Sequence, residues 1–173
     1  MLLFVLFNFM MALMNIKIIP VIVTLFIVAV ETAISFNSVL LPNIKIFFDV
    51  SERLSQMTIA LGLLTLGIAG IIYGGLADSI GRRPILLFST ALFCVSSFFC
   101  FYATNITQFL FAKFFQGLGS GSGWVVGNAC IKDLYDGKKY ANIMNRIHAI
   151  TGIVPAVAPV LGSYLALFIV WRQ

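Results

Sequence analysis

The sequence predicts an all-α polytopic membrane protein with five spanning helices. Three observations carry that prediction. The chain has a mean hydropathy of +1.05, and 61% of its 173 residues are hydrophobic. Only 10% are charged, whereas a soluble domain carries about 25% and needs them to cover its surface. The apolar residues also fall into five long runs, and nearly all Lys and Arg lie in the short polar segments between them. The net charge of +5 therefore reads as membrane topology rather than as a nucleic-acid footprint. The partner implied is a lipid bilayer.

Residues 1–17 open the chain. The apolar part, 1–13, is shorter than the roughly 20 residues a span needs, and it lacks the basic start and small-residue cleavage site of a signal peptide. It is expected to be an upstream extension or an interfacial helix. The first span is expected at 18–41, about 36 Å at 1.5 Å per residue. It carries Glu31 near its middle, Ser35 and Asn37 further on, and closes at Pro42. A mixed loop from Lys45 to Arg53 follows. The second span is expected at 57–77. Its Gly70 and Gly74 form a G-x-x-x-G pair that lets helix backbones approach. The segment Gly74 to Pro84 reads as a short polar turn, and Pro84 is expected to open the third span, 84–104, where its missing N–H costs nothing.

The fourth span is expected at 106–131. Gly119, Gly123 and Gly127 recur every four residues, so they share one helix face suited to close contact. No G-x-G-x-x-G or P-loop spacing is present in this run, which removes a nucleotide site. Residues 132–146 form the longest polar segment. The fifth span is expected at 147–170, with Pro155 and Pro159 weakening and bending its backbone. The three cysteines, Cys94, Cys100 and Cys130, fall inside apolar runs without metal-ligand spacing and read as small buried hydrophobes. No metal or cofactor is implied.

Counting Lys and Arg orients the spans. With the amino terminus in the cytoplasm, Lys17, Arg82, Arg83, Lys132, Lys138, Lys139 and Arg146 lie inside, and Lys45, Arg53 and Arg172 outside. This is the positive-inside bias. Five spans then put the carboxyl terminus outside.

The turn Gly74-Gly75-Leu76-Ala77-Asp78-Ser79-Ile80-Gly81-Arg82-Arg83-Pro84 resembles the loop between the second and third helices of the major facilitator superfamily. Gly74, Asp78, Gly81, Arg82 and Arg83 match that family's pattern in order and spacing, and Ser79 stands where a basic residue is usual. In the fourth span, Lys113, Gln116, Gly117 and Gly119 resemble the family's fourth-helix motif, with Lys113 in place of arginine. The charge is kept but the bidentate fork is lost. In the fifth span, Gly152, Pro155, Pro159 and Gly162 resemble the fifth-helix motif of the drug:proton antiporters, with Ala158 where glycine is usual. The Ala-Pro-x-x-Gly form, with Asp133-Leu134-Tyr135 before it, looks most like the bicyclomycin-resistance branch. Trp171-Arg172 looks like the outer loop before a sixth helix.

The resemblance runs from about residue 18 to the end. It implies that residues 18–173 are an incomplete amino-terminal major-facilitator domain, supplying five helices of a six-helix half in a twelve-helix transporter. The implied activity is export of small amphipathic compounds in exchange for protons in a bacterial inner membrane, with a proton gradient as the coupling force and no other cofactor. The chain is expected to be inactive by itself and to need a carboxyl-terminal partner piece. A non-transporting membrane remnant or assembly partner is the alternative. An enzyme is not expected, because the only histidine is His148 and no nucleophile–base pair stands out.

Two residues are candidates for the substrate and proton pathway. A carboxylate near mid-bilayer must face a wet cavity or a partner, and burial disfavours the charged form of a carboxyl group. Glu31 is therefore expected to be either a proton carrier or a structural carboxyl, paired with Lys113 or bonded to a neighbouring helix. Lys113 lies about 9 Å from the outer start of its run. It is expected either to snorkel outward or to face the cavity and pair with Glu31. The resemblance implies that Asp78, Arg82 and Arg83 form a conformational latch against the other half of the molecule. His148 reads as a polar boundary residue at the start of the fifth span, and Trp124 as a packing aromatic near the cytoplasmic end of the fourth.

Overall fold

The computed structural model describes residues 19–168. The expectations about residues 1–17, including Lys17, and about Trp171 and Arg172 lie outside the described residues. Among those described there are seven helices and no strand: α1 (Ile19–Val39), α2 (Leu41–Phe47), α3 (Glu52–Ile80), α4 (Arg82–Tyr102), α5 (Ile106–Ser120), α6 (Ser122–Leu134) and α7 (Gly137–Phe168). Four of them, α1, α3, α4 and α7, are long and apolar enough to cross a membrane. The fold is all-α, as the hydropathy pattern requires.

The helices run further than the apolar runs do. Hydropathy marks where lipid begins, whereas a helix continues through any residues that keep its backbone bonded. The expected loop from Lys45 to Arg53 is therefore partly helical. Lys45 lies in α2, and Ser51 caps α3 by accepting a hydrogen bond from the Leu54 N–H at 3.4 Å. The polar segment 132–146 also shrinks. Only Tyr135 and Asp136 separate α6 from α7, with Gly137 turning the chain at φ 54°. Helix α7 starts ten residues before the apolar run and continues through Pro155 and Pro159.

The polar turn at 74–84 is reduced to one residue. Helix α3 carries Gly74 and Asp78, α4 begins at Arg82, and only Gly81 lies between them, at φ 103°. A side chain rarely takes that angle, so glycine is what the sharp reversal requires. Pro84 is not the first residue of α4 but sits in its first turn, where its missing N–H is still unpaired.

The fourth run is two helices. α5 ends at Ser120 and α6 begins at Ser122. Gly121 between them keeps helical angles of φ −63° and ψ −22°, so the break is local and the chain does not reverse. The first turn of α5 is capped twice. The Asn105 side chain accepts from the Gln108 N–H at 2.9 Å, and Gln108 Oε1 accepts from the Thr104 N–H at 3.1 Å.

Helices α5 and α6 form the centre of the bundle. α5 packs between α3 and α4, α6 touches α1, α3 and α4, and α1 lies along α7. The glycines explain how one segment meets so many neighbours. The expected stripe Gly119, Gly123 and Gly127 divides between two partners. A Cβ on Gly119 would lie 2.5 Å from the Phe93 backbone nitrogen of α4, while Gly123 and Gly127 abut Phe26 and Val23 of α1. A second pair, Gly117 and Gly121, faces α3 at Thr65 and at Ala69–Gly70. Gly70 and Gly74 of α3 in turn meet Val125 of α6.

The interior is small and hydroxyl-rich. Thr58, Thr65, Ser89 and Ser122 are fully buried. Thr58, Thr65 and Ser89 bond back to carbonyls three or four residues earlier, and Ser89 and Ser122 bond to each other across α4 and α6. Large apolar side chains such as Ile71, Phe101 and Phe111 point outward. In a membrane, lipid supplies no hydrophobic drive between helices, so close packing of small residues takes over.

Candidate functional site

Three polar clusters interrupt this interior. The first lies at the face where α1 begins. Asp78 sits near the end of α3, and Arg82 opens α4 beyond the Gly81 reversal. The Arg82 Nε donates to Asp133 Oδ2 at 2.8 Å, and its Nη2 lies 4.0 Å from Asp78 Oδ1. One guanidinium thus ties α3, α4 and the end of α6 together. Its Nη1 is buried without a hydrogen-bond partner among the described residues. Asp78 is 77% exposed and Arg83 is exposed. Sequence reasoning marks Asp133 only as part of the Asp133-Leu134-Tyr135 resemblance, and only the fold brings it to Arg82.

The second cluster surrounds Lys113 on α5. Lys113 is buried, so it does not snorkel. It does not pair with Glu31 either, and among the described residues no carboxylate lies within 4.0 Å of it. Instead Nζ donates to Gln116 Oε1 at 2.9 Å and sits 5.4 Å from the centroid of the Phe109 ring. Gln116 Nε2 passes the chain on to Ser97 Oγ of α4 at 2.8 Å. A cavity of about 30 Å³, room for one water, lies beside Lys113 and Gln116 and is also lined by Asn37 and Thr58. The Lys-x-x-Gln spacing seen in sequence is thus a real contact, because i and i+3 are neighbours on a helix.

The third cluster contains Glu31. Its partner is Trp124 of α6, whose Nε1–H donates to Glu31 Oε1 at 3.3 Å. The Trp124 ring stacks on the His148 ring of α7, with centroids 5.5 Å apart and planes 17° apart. Three helices therefore meet at one carboxylate, one indole and one imidazole. Glu31 and Trp124 are half-buried, and His148 is exposed. Because α7 starts at Gly137, His148 lies about 16 Å along it, level with Trp124 and Glu31. The early turns of α7 pack Met144 and Ile147 against Val23 and Ile27 of α1, which holds the ring there.

Gly152, Pro155 and Pro159 all lie in α7, and Gly162 lies in the same helix. A Cβ placed on Gly152 would meet nothing within 4 Å.

A bundle of spanning helices with ionisable side chains between them is the architecture of a polytopic integral membrane protein, and the arginine-bearing reversal at Gly81 narrows the class. The chain belongs to the Major Facilitator Superfamily, whose family description matches residues 2–173. It is 37% identical over 142 residues to the multidrug resistance protein MdtL of Shewanella oneidensis, covering 81% of this chain and 35% of that protein. It is 35% identical over 133 residues to the protein of the same name in Escherichia coli strain K12, covering 77% and 34%. The chain thus spans about a third of the length of the curated relatives it matches.

Proposed function

We propose that this chain is the amino-terminal part of a secondary transporter that exports small amphipathic compounds in exchange for protons, in the bicyclomycin-resistance branch of the family. Its place is a bacterial inner membrane, with the amino terminus cytoplasmic and the carboxyl terminus outside. The observation that carries this reading is Glu31. It is a carboxylate deep in an apolar helix, held by one indole N–H, with no Lys or Arg within 4.0 Å among the described residues. A carboxylate without a fixed countercation is free to take a proton or an organic cation in turn, which is the exchange an antiporter needs. The family pattern in the charged reversal and the relatives' multidrug-resistance names support the same reading.

A groove of about 350 Å³ runs between α1 and α7, lined by Thr32, Phe36, Ile150, Ile153 and Val157. An apolar groove on the same helix as Glu31 suits the apolar part of an amphipathic compound. Asp78, Arg82 and Arg83 serve as the latch that favours one access state. Arg82 is anchored to Asp133, and exposed Asp78 and Arg83 are left to meet the remainder of the transporter. That remainder, a carboxyl-terminal set of helices, is the partner this reading requires.

The test is movement of a fluorescent cationic dye across vesicles containing this chain alone, under an imposed pH gradient. No gradient-driven movement is expected with the protein confirmed in the membrane. Gradient-driven movement would show that these helices suffice and would overturn the need for a partner.

A further inference from the structure

Proton exchange at Glu31 alone leaves His148 without a role, yet its ring is stacked on the same indole that holds the carboxylate. We infer that His148 is a second protonatable group of the pathway, coupled to Glu31 through the Trp124 ring between them. Its consequence for transport rests on Glu31 being the exchange site proposed above; the coupling itself does not.

Three features of the geometry carry this. First, imidazole is the side chain that changes charge between pH 5 and 8, and this one is not enclosed by the described residues. Second, an imidazolium over an indole face is attracted by the ring's negative face. The indole's N–H edge meanwhile points at the carboxylate at 3.3 Å. A positive charge on the face and a negative charge at the edge stabilise each other across a rigid apolar spacer. Third, Glu31 is the sole acid placed to do this among the described residues. The elements packed against α7 are α1 and α6. Glu31 is the one charged residue of α1, and α6 carries Lys132 and Asp133 two turns nearer the face where α1 begins, with Asp133 bound to Arg82. Tyr135, just past α6, lies at that same end. On α7 itself, Lys138, Lys139 and Tyr140 lie two or more turns away. Arg146 projects from the opposite side of the helix, about 200° around from His148.

While it is ionised, Glu31 supports an imidazolium at His148; a cation seated at Glu31 removes that support, so the His148 proton leaves as the cation binds. His148 thereby helps to set the pH range of the exchange.

Tryptophan fluorescence reads the coupling without any transport. The chain has two tryptophans, and a W171F background makes Trp124 the single reporter. In lipid vesicles its emission should fall through a transition between about pH 8 and 5 as the stacked ring becomes cationic. H148Q should abolish that transition, and E31Q should shift its midpoint. A transition that survives H148Q, the absence of any transition, or a midpoint indifferent to E31Q would each overturn the coupling. For the transport consequence, H148Q in this chain assembled with its carboxyl-terminal helices should narrow the pH range of dye efflux. An unchanged pH profile, with the fluorescence transition intact in the parent, would remove His148 from the pathway while leaving Glu31 in it.

Discussion

Lys113 and Arg82 show how differently one fold treats two cations. Lys113 is buried against a glutamine and a phenylalanine ring, with no carboxylate in reach among the described residues. Burying an ammonium without an acid is costly, and replacing such a group by an apolar one of similar length is often neutral or stabilising. K113M is expected to leave stability unchanged or raise it by about 1 kcal/mol, measured by thermal unfolding in detergent micelles. A loss beyond about 2 kcal/mol would mean that the Lys113–Gln116–Ser97 chain holds the helices together. Arg82 instead has a close acidic partner. Because Asp133 is 55% exposed, solvent screens the pair. A double-mutant cycle of R82A and D133A is expected to give a coupling of about 0.5–1 kcal/mol, and zero coupling would make the contact incidental. Residue types were legible in the sequence at both sites, and partners were not. Glu31 and Lys113 are the two obvious charges inside spans, which invites pairing them. The fold gives them Trp124 and Gln116 instead, because the side of a helix that faces a given neighbour depends on packing that no local pattern encodes.

At the scale of elements, the spans were legible and their ends were not. The five apolar runs correspond to α1, α3, α4, the α5–α6 pair and α7. The polar stretches that looked like loops are largely helix, since Lys, Arg, Met and Ala extend a helix readily and lipid is not needed for it. The glycine stripe was legible as a contact surface, and its division between α1 and α4 was not, because that depends on α5 and α6 being surrounded. Its strictness can be measured. At Gly119 a Cβ would lie 2.5 Å from the Phe93 nitrogen and 2.8 Å from its Cα, and backbone cannot rotate away. G119V is expected to cost about 3 kcal/mol or more in the same unfolding measurement, whereas G152A, in open space, should stay within about 0.5 kcal/mol. Equal effects would show that the α4–α5 contact is looser than this close approach implies.

At the scale of the whole molecule, the interior of the described residues mixes apolar side chains such as Ile27 and Phe93 with hydroxyls, glycines and a few ionisable groups, while isoleucines and phenylalanines also cover the outside. The family follows from this arrangement together with the matched sequence, and the chain spans about a third of the relatives' length. In the proposed transporter, the functional centre is the carboxylate where α1, α6 and α7 meet, and the remaining helices serve to hold and to gate it. The most direct measurement is dye efflux against pH in vesicles that carry this chain together with its carboxyl-terminal helices, comparing the parent with E31Q. Efflux is expected to follow the imposed pH gradient in the parent and to lose its pH dependence in E31Q. Efflux in E31Q with the parent's pH dependence would contradict a proton-carrying Glu31 and place the proton elsewhere.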